Sequence, residues 1–311
     1  MKILIQSDVN EARLERLRHR APEAIFEFCS GEDKIEAAIP DADVVAGFVS
    51  PSALLRASRL KWVHSWMAGP DLQLYPEFVK SDVVLTCSKG NGAIPLAEHA
   101  MMLMLMLNRN ALRWLKAQEE RHWDRFVHGE LNGLTCGIIG AGYSGQDLAL
   151  KAKAFHMRVI GLRRHDRPAP NFDRFYSIAE IEEFMGESDF VVVTAPKTME
   201  TTGMLGERAF QAMKKTAFYI CFSRGGIADD AALLRALSEG WIAGAGLDAH
   251  SIEPLPADSP FWTAPNTIVT PHNGATSKAT PERGFDYFLD NLRRYRAGED
   301  FINVVDKELA Y

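Results

Sequence analysis

The sequence predicts an α/β protein built from two doubly wound parallel sheets, and three observations predict it. Strand-like and helix-like patterns alternate from the first residues onward, the order that yields βαβ units. They do so in two separate series, one on each side of a long helical stretch. The plainest strands, such as "FVVV", are continuous apolar runs, which suit a parallel sheet covered by helices on both faces. At 311 residues the chain can hold two domains, each with its own core.

The first series opens with "KILIQ" as a strand. The helix "NEARLERLRHRAP" follows, with Asn10 as its N-cap. "AIFEFC" and "DVVAGF" are strands, "EDKIEAAI" and "PSALLRAS" are helices, the latter started by Pro51, and "KWVHSW" is a strand again. "PLAEHAMMLMLMLNRNALRWLKAQEERHW" then reads as one long helical segment bridging two domains, its "AMMLMLMLN" portion a core helix buried all round. The second series begins at "TCGIIGAG" and continues through "RVIGL", "DFVVVTAP", "AFYICFSR", "IAGAGLD" and "TIVT". The tail "PERGFDYFLDNLRRYRAGED" is an amphipathic helix stopped by Gly298.

Composition narrows the function. Hydrophobic residues make up 47% and charged residues 24%, as in a soluble globular protein. A formal net charge of -6 speaks against a general nucleic-acid binder, which would carry a basic balance or patch. "AMMLMLMLN" falls far short of the roughly 18 apolar residues that span a bilayer, and no secretory signal pattern opens the chain. Cys29, Cys87, Cys136 and Cys221 lie far apart, without metal-ligand spacing; they read as buried small hydrophobes in a reducing compartment. The expectation is a cytoplasmic protein with no metal site, no membrane contact and no nucleic-acid partner.

The first chemical signal is "CGIIGAGYSGQDLAL". Gly140, Gly142 and Gly145 stand in G-x-G-x-x-G spacing, after an apolar strand and at the start of a helix. There they would supply a tight turn, close approach of backbone to a pyrophosphate and close helix–strand packing. Tyr143 and Ser144 share the helix N-terminus, whose free N–H groups and positive dipole end suit phosphates. The next strand, "RVIGL", ends at Arg163 and Arg164. An NAD-binding unit places an Asp or Glu there, about 20 residues beyond the glycines, against the ribose 2′-hydroxyl. Guanidinium groups at that point favour a 2′-phosphate instead, so NADP(H) is expected, with NAD(H) possible. Ala195, Pro196, Phe222, Ser223 and Asp248, at the ends of later strands, complete the expected cofactor contacts.

Three further stretches carry the catalytic case: "CFSRGG", "GLDAHSIEPLP" and "TIVTPHNGAT". They put Arg224, Glu253 and His272 just beyond strand carboxyl ends, where doubly wound sheets bind ligands. Hydride reduction of a ketone builds charge on oxygen, and a histidine is suited to donate the proton near neutral pH. A carboxylate paired with the imidazole would orient it and favour its charged form. An arginine can hold a substrate carboxylate and polarise the carbonyl together.

These motifs, with "KWVHSWMAGPD" near the start and "NLRRYRAGEDFINVVD" near the end, resemble the D-isomer-specific 2-hydroxyacid dehydrogenase family over essentially the whole chain. The resemblance assigns the catalytic roles to Arg224, Glu253 and His272, and the substrate carboxylate to backbone N–H groups of Met67, Ala68 and Gly69. It also implies a Rossmann cofactor domain, 101–281, inserted into a flavodoxin-like substrate domain made of 1–100 and 282–311. A homodimer joined largely through the long central helices is implied too. The expected activity is hydride transfer between NADPH and a small 2-keto acid, such as glyoxylate or hydroxypyruvate. Phe48, Trp66 and Met67 would form an apolar wall for its side chain. His250 is a rival acid, set off the strand end. The alternative function is a nucleotide-sensing binding protein of the corepressor type on the same fold, since such corepressors keep the triad.

Overall fold

The structure, a computed structural model, describes residues 1–7, 9–164 and 168–309; the "HDR" of the loop after "VIGLR" lies outside the described residues. Two compact units divide the chain, Met1–Asn91 with Ser277–Tyr311 and Gly92–Thr276.

The first unit runs β1 (Lys2–Ile5), α1 (Glu11–Arg20), β2 (Ile25–Phe28), α2 (Glu32–Ala38), β3 (Val44–Ala46), α3 (Pro51–Arg56), β4 (Trp62–Ser65), α4 (Pro76–Val79) and β5 (Val84–Cys87). Its strands are all parallel, in the order β2-β1-β3-β4-β5, the flavodoxin-like arrangement. Helix starts follow the sequence signals. Asn10 accepts the Arg13 N–H at 2.9 Å, and the Ser50 hydroxyl accepts the Ala53 N–H at 3.2 Å ahead of Pro51.

The second unit runs α5 (Ala93–Asn108), α6 (Ala111–Glu119), β6 (Thr135–Ile139), α7 (Tyr143–Ala154), β7 (Arg158–Leu162), β8 (Arg174–Tyr176), α8 (Ile181–Glu187), β9 (Phe190–Val193), α9 (Glu207–Ala212), β10 (Phe218–Cys221), α10 (Asp230–Ser238), β11 (Gly244–Leu247) and β12 (Thr267–Val269). Its parallel sheet has the order β12-β11-β10-β9-β6-β7-β8. Taken in chain order from β6, that is the Rossmann succession 3-2-1-4-5-6 with one strand added. The order reverses between β6 and β9, so the loops after these two strands border the crevice. Both faces are covered. α5 and α7 pack Leu103, Met104 and Leu148 onto one face, and α8 to α10 pack Phe184, Phe210 and Leu233 onto the other.

The chain returns to the first unit as α11 (Ala279–Ala297), which ends at Gly298 with φ 67°. Phe285, Phe288, Leu289 and Leu292 of α11 pack with Trp62, Ile3 and Ile5 of the first sheet.

Three details differ from expectation. The long central helix breaks after Asn108, where Asn110 takes a left-handed conformation (φ 53°), giving α5 and α6. Nor is α5 buried all round: Ala97, Ala100, Leu103 and Met104 face the core, while Ile94 and Met102 are 43% and 40% exposed. A helix lying on one face of a sheet has only one side to bury. Because Ala97 and Ala100 join the second unit's core, α5 belongs to that unit entirely; the division falls at 91/92 and 276/277 rather than 100/101 and 281/282.

Candidate active site

The glycine loop links β6 to α7, and each glycine has a different spatial reason. Gly140 has φ +98°, and a Cβ there would lie 2.9 Å from the Thr194 hydroxyl and 3.0 Å from the Ala195 nitrogen. At Gly145 a Cβ would sit 2.3 Å from the Gly140 carbonyl oxygen, so the helix could not pack this close. A Cβ on Gly142 would meet nothing within 4 Å; its absence leaves room for something that is not protein. No side chain caps α7, and Gly142 occupies the cap position at the positive end of the helix dipole, which suits an anion. Tyr143 is half exposed and Ser144 half-buried at this end. Thr194, a residue the sequence reading passed over, ties the end of β9 to the loop: its hydroxyl lies 2.9 Å from the Gly140 oxygen and 3.1 Å from that of Ile139. No motif marks it. Its role exists only because β6 and β9 are neighbours.

Of the other expected cofactor residues, Ala195 is buried and Pro196 exposed at the end of β9. The Phe222 ring belongs to the core on the α5 side, leaving its backbone for any ligand. Ser223 is half-buried and its carbonyl accepts from Arg224 Nη1 at 2.8 Å. The two arginines after β7 differ. The Arg163 guanidinium carbon lies 3.4 Å from the centroid of the Phe175 ring, a cation–π contact, while Arg164 forms an ion pair with Glu200.

Arg224 follows β10 and is half-buried. The next residue, Gly225, lies against the 250–251 peptide so closely that a Cβ would fall 2.0 Å from the His250 carbonyl carbon. This contact brings the arginine's turn against the loop that carries Glu253. Glu253 then meets His272: the Nδ1 atom lies 2.8 Å from Oε2 and 3.0 Å from Oε1. Oε1 also accepts the His250 N–H at 2.9 Å. Burial by itself would raise the Glu253 carboxyl, but the His250 N–H and the His272 imidazole outweigh it and hold the group below its ordinary range. A carboxylate at Nδ1 requires the N–H on that nitrogen and leaves Nε2 for proton exchange. The rival His250 is engaged elsewhere, with Nε2 3.1 Å from the Thr270 carbonyl oxygen.

Asp248 is 0% exposed. Its Oδ1 accepts the Thr270 hydroxyl at 2.6 Å and the Asn273 N–H at 3.1 Å, and its Oδ2 accepts the Gly274 N–H at 2.9 Å. The carboxylate expected on the cofactor is thus committed to the segment on both sides of His272.

In the first unit, Met67, Ala68 and Gly69 form a bend just after β4. Met67 and Ala68 are exposed, and the Ser88 N–H donates to the Ser65 and Met67 carbonyls, each at 3.0 Å. Trp66 does not join an open wall. Its ring packs against Phe285 and Phe288, and its Nε1–H donates to the Gln6 carbonyl at 3.1 Å.

Residues 101–274 match the family model described as D-isomer specific 2-hydroxyacid dehydrogenase, NAD binding domain. A glyoxylate reductase of Korarchaeum cryptofilum is 33% identical over 264 residues, covering 81% of this chain and 78% of that protein. A D-isomer specific 2-hydroxyacid dehydrogenase from Xanthobacter autotrophicus Py2, solved with NADPH and MES, superposes with a TM-score of 0.88 at 27% identity, covering 100% and 99% of the two chains. An NADPH-dependent glyoxylate/hydroxypyruvate reductase from Sinorhizobium meliloti, solved with NADP and sulfate, superposes with a TM-score of 0.85 at 28% identity, with the same coverage. With its Rossmann order, glycine cradle and Glu253–His272 pair, the chain belongs to the D-isomer specific 2-hydroxyacid dehydrogenase family and is an oxidoreductase of that family.

Proposed function

We propose that this enzyme reduces small 2-keto acids, glyoxylate or hydroxypyruvate among them, to D-2-hydroxy acids, preferring NADPH to NADH. The observation that carries the catalytic part is the His272–Glu253 contact of 2.8 Å, in a loop held against the turn bearing Arg224. The open space at Gly142 and the uncapped N-terminus of α7 fit a dinucleotide pyrophosphate. A nicotinamide cofactor bound there supplies the hydride for the carbonyl carbon. His272 gives a proton from Nε2 to the carbonyl oxygen, and Glu253 keeps the ring oriented and stabilises the charge it carries beforehand. Arg224 holds the substrate carboxylate with its planar fork and polarises the carbonyl. In the reverse direction His272 acts as the base.

NADPH preference rests on Arg163 and Arg164 at the end of β7, where a carboxylate would exclude a 2′-phosphate. The NADP(H) named with the Xanthobacter and Sinorhizobium structures supports the same reading. We further place the enzyme in the cytoplasm and pair it as a homodimer through α5 and α6, whose Ile94, Met102 and Leu115 are exposed apolar side chains. The test is a panel of short keto acids assayed with both cofactors. NADPH should win in kcat/KM, and replacing both arginines with serine should shrink that advantage by about 10- to 100-fold, the worth of a charge-assisted contact. Equal efficiency with NADH refutes the preference. No oxidation of NADPH with any keto acid favours the nucleotide-sensing alternative.

A further inference from the structure

A chain of hydrogen bonds runs from the middle of the second unit to the segment carrying His272, and none of the roles assigned so far uses its first member. His99 lies on α5, mostly buried at 12% side-chain exposure. Its Nε2 is 3.0 Å from the Thr270 hydroxyl and 3.6 Å from Asp248 Oδ1. Thr270 in turn lies 2.6 Å from Asp248 Oδ1, and Asp248 receives the N–H groups of Asn273 and Gly274.

Counting protons decides the direction. A carboxylate that receives two backbone N–H bonds acts as an acceptor, so the single Thr270 hydroxyl proton points at Asp248. The Thr270 oxygen is then the acceptor for His99, and His99 Nε2 must carry the hydrogen. The relay reads His99 Nε2–H to Thr270 Oγ1, Thr270 O–H to Asp248, with Asn273 and Gly274 donating to Asp248 from the other side.

What this relay holds is a strained segment. His272 has φ +50°, a left-handed conformation that costs a non-glycine residue about 1 kcal/mol or more and persists only where the surroundings impose it. Thr270, Asn273 and Gly274 flank it on both sides. The packing is tight: a Cβ at Gly274 would lie 2.8 Å from Asp248 Oδ2 and 3.2 Å from the His99 ring.

We infer that His99 is a positioning residue, which by donating from Nε2 through Thr270 to Asp248 fixes the backbone that presents His272 to substrate. The inference rests on His272 being the proton donor. His99 is placed to touch neither substrate nor cofactor in this scheme; it acts through Thr270 and Asp248.

The test compares His99→Leu, which has no donor, with His99→Gln, whose amide N–H can replace Nε2–H, using glyoxylate and NADPH. Misplacing a reacting group is expected to lower kcat in His99→Leu by about 10- to 100-fold, with the NADPH Kd, read by fluorescence, within about twofold. His99→Gln should recover most of the loss. A Leu variant with wild-type kcat overturns the inference, as does a Gln variant no better than Leu or a parallel collapse of NADPH binding. Long-range 15N–1H spectra of histidine-labelled protein give a readout independent of turnover. His99 Nε2 should show the shift of a protonated nitrogen, and the His272 ring signals should move in the Leu variant and return in Gln. An unprotonated Nε2, or His272 signals indifferent to both changes, overturns it. If the unmodified enzyme reduces no keto acid, the functional reading falls while the spectra still decide the relay.

Discussion

Asp248→Asn is almost isosteric, and the structure gives it a large cost. The carboxylate accepts from Thr270 and Asn273 on Oδ1 and from Gly274 on Oδ2, in a site with 0% exposure. An asparagine can keep its oxygen toward Thr270 and Asn273, and its amide nitrogen then faces the Gly274 N–H. Turned over, the amide can donate to Thr270 but faces the Asn273 N–H. Either way one backbone donor confronts another in a dry site. Losing a charge-assisted bond costs about 1.5–3 kcal/mol, and leaving a buried donor unsatisfied costs about 1–3 more, so about 2.5–6 kcal/mol is expected. For a unit of this size that is a fall in Tm of roughly 10 °C. Differential scanning calorimetry can read it on the transition that NADPH raises, which identifies the second unit by linkage. A loss under about 1 kcal/mol would refute the reasoning, because it would show that a neutral amide satisfies the same donors.

Two further perturbations test the site from other sides. Gly142→Ala should leave thermal stability unchanged and weaken NADPH binding, because the added Cβ meets no protein atom within 4 Å; Gly145→Ala should lower both, because its Cβ would lie 2.3 Å from the Gly140 oxygen. Equal stability of the two variants by thermal melting would contradict the assignment of Gly142 to ligand and Gly145 to packing. Glu253→Gln addresses pH. Glu253 is held below its ordinary value of 4.5 in the fold, so its stabilising effect is complete above that value and is lost as pH falls through the lower folded one. Urea midpoints of wild type and variant should therefore differ at pH 6 and converge only in stronger acid, while kcat for keto-acid reduction falls about 100-fold or more at neutral pH. Midpoints that already coincide at pH 6 would show that the pair contributes nothing to the fold.

Much of this protein was legible in the sequence because the signals are local. Apolar runs marked β6, β7, β9 and β10, and caps at Asn10 and Gly298 marked helix ends, since each depends on residues within a turn or two. The strand "RFY" (β8) is not legible in this way, because it has three residues and opens on an exposed arginine rather than an apolar run. The glycine spacing identified the cradle, and strand-end positions together with family resemblance selected Arg224, Glu253 and His272 before any distance was known. Tertiary structure alone decided how these parts work on one another. That Glu253 takes the imidazole of His272, and from His250 only the backbone N–H, depends on how two loops, 19 residues apart in the chain, lie together. Thr194 and His99 carry no motif, and Thr270 sits in one that does not reveal its partner, because each acts through a neighbour brought close only when parallel strands and α5 assemble. Asp248, expected on a cofactor, faces inward to the segment bearing His272. A sequence records which groups are available at a strand end; the direction of a buried carboxylate follows from the donors that folding places around it.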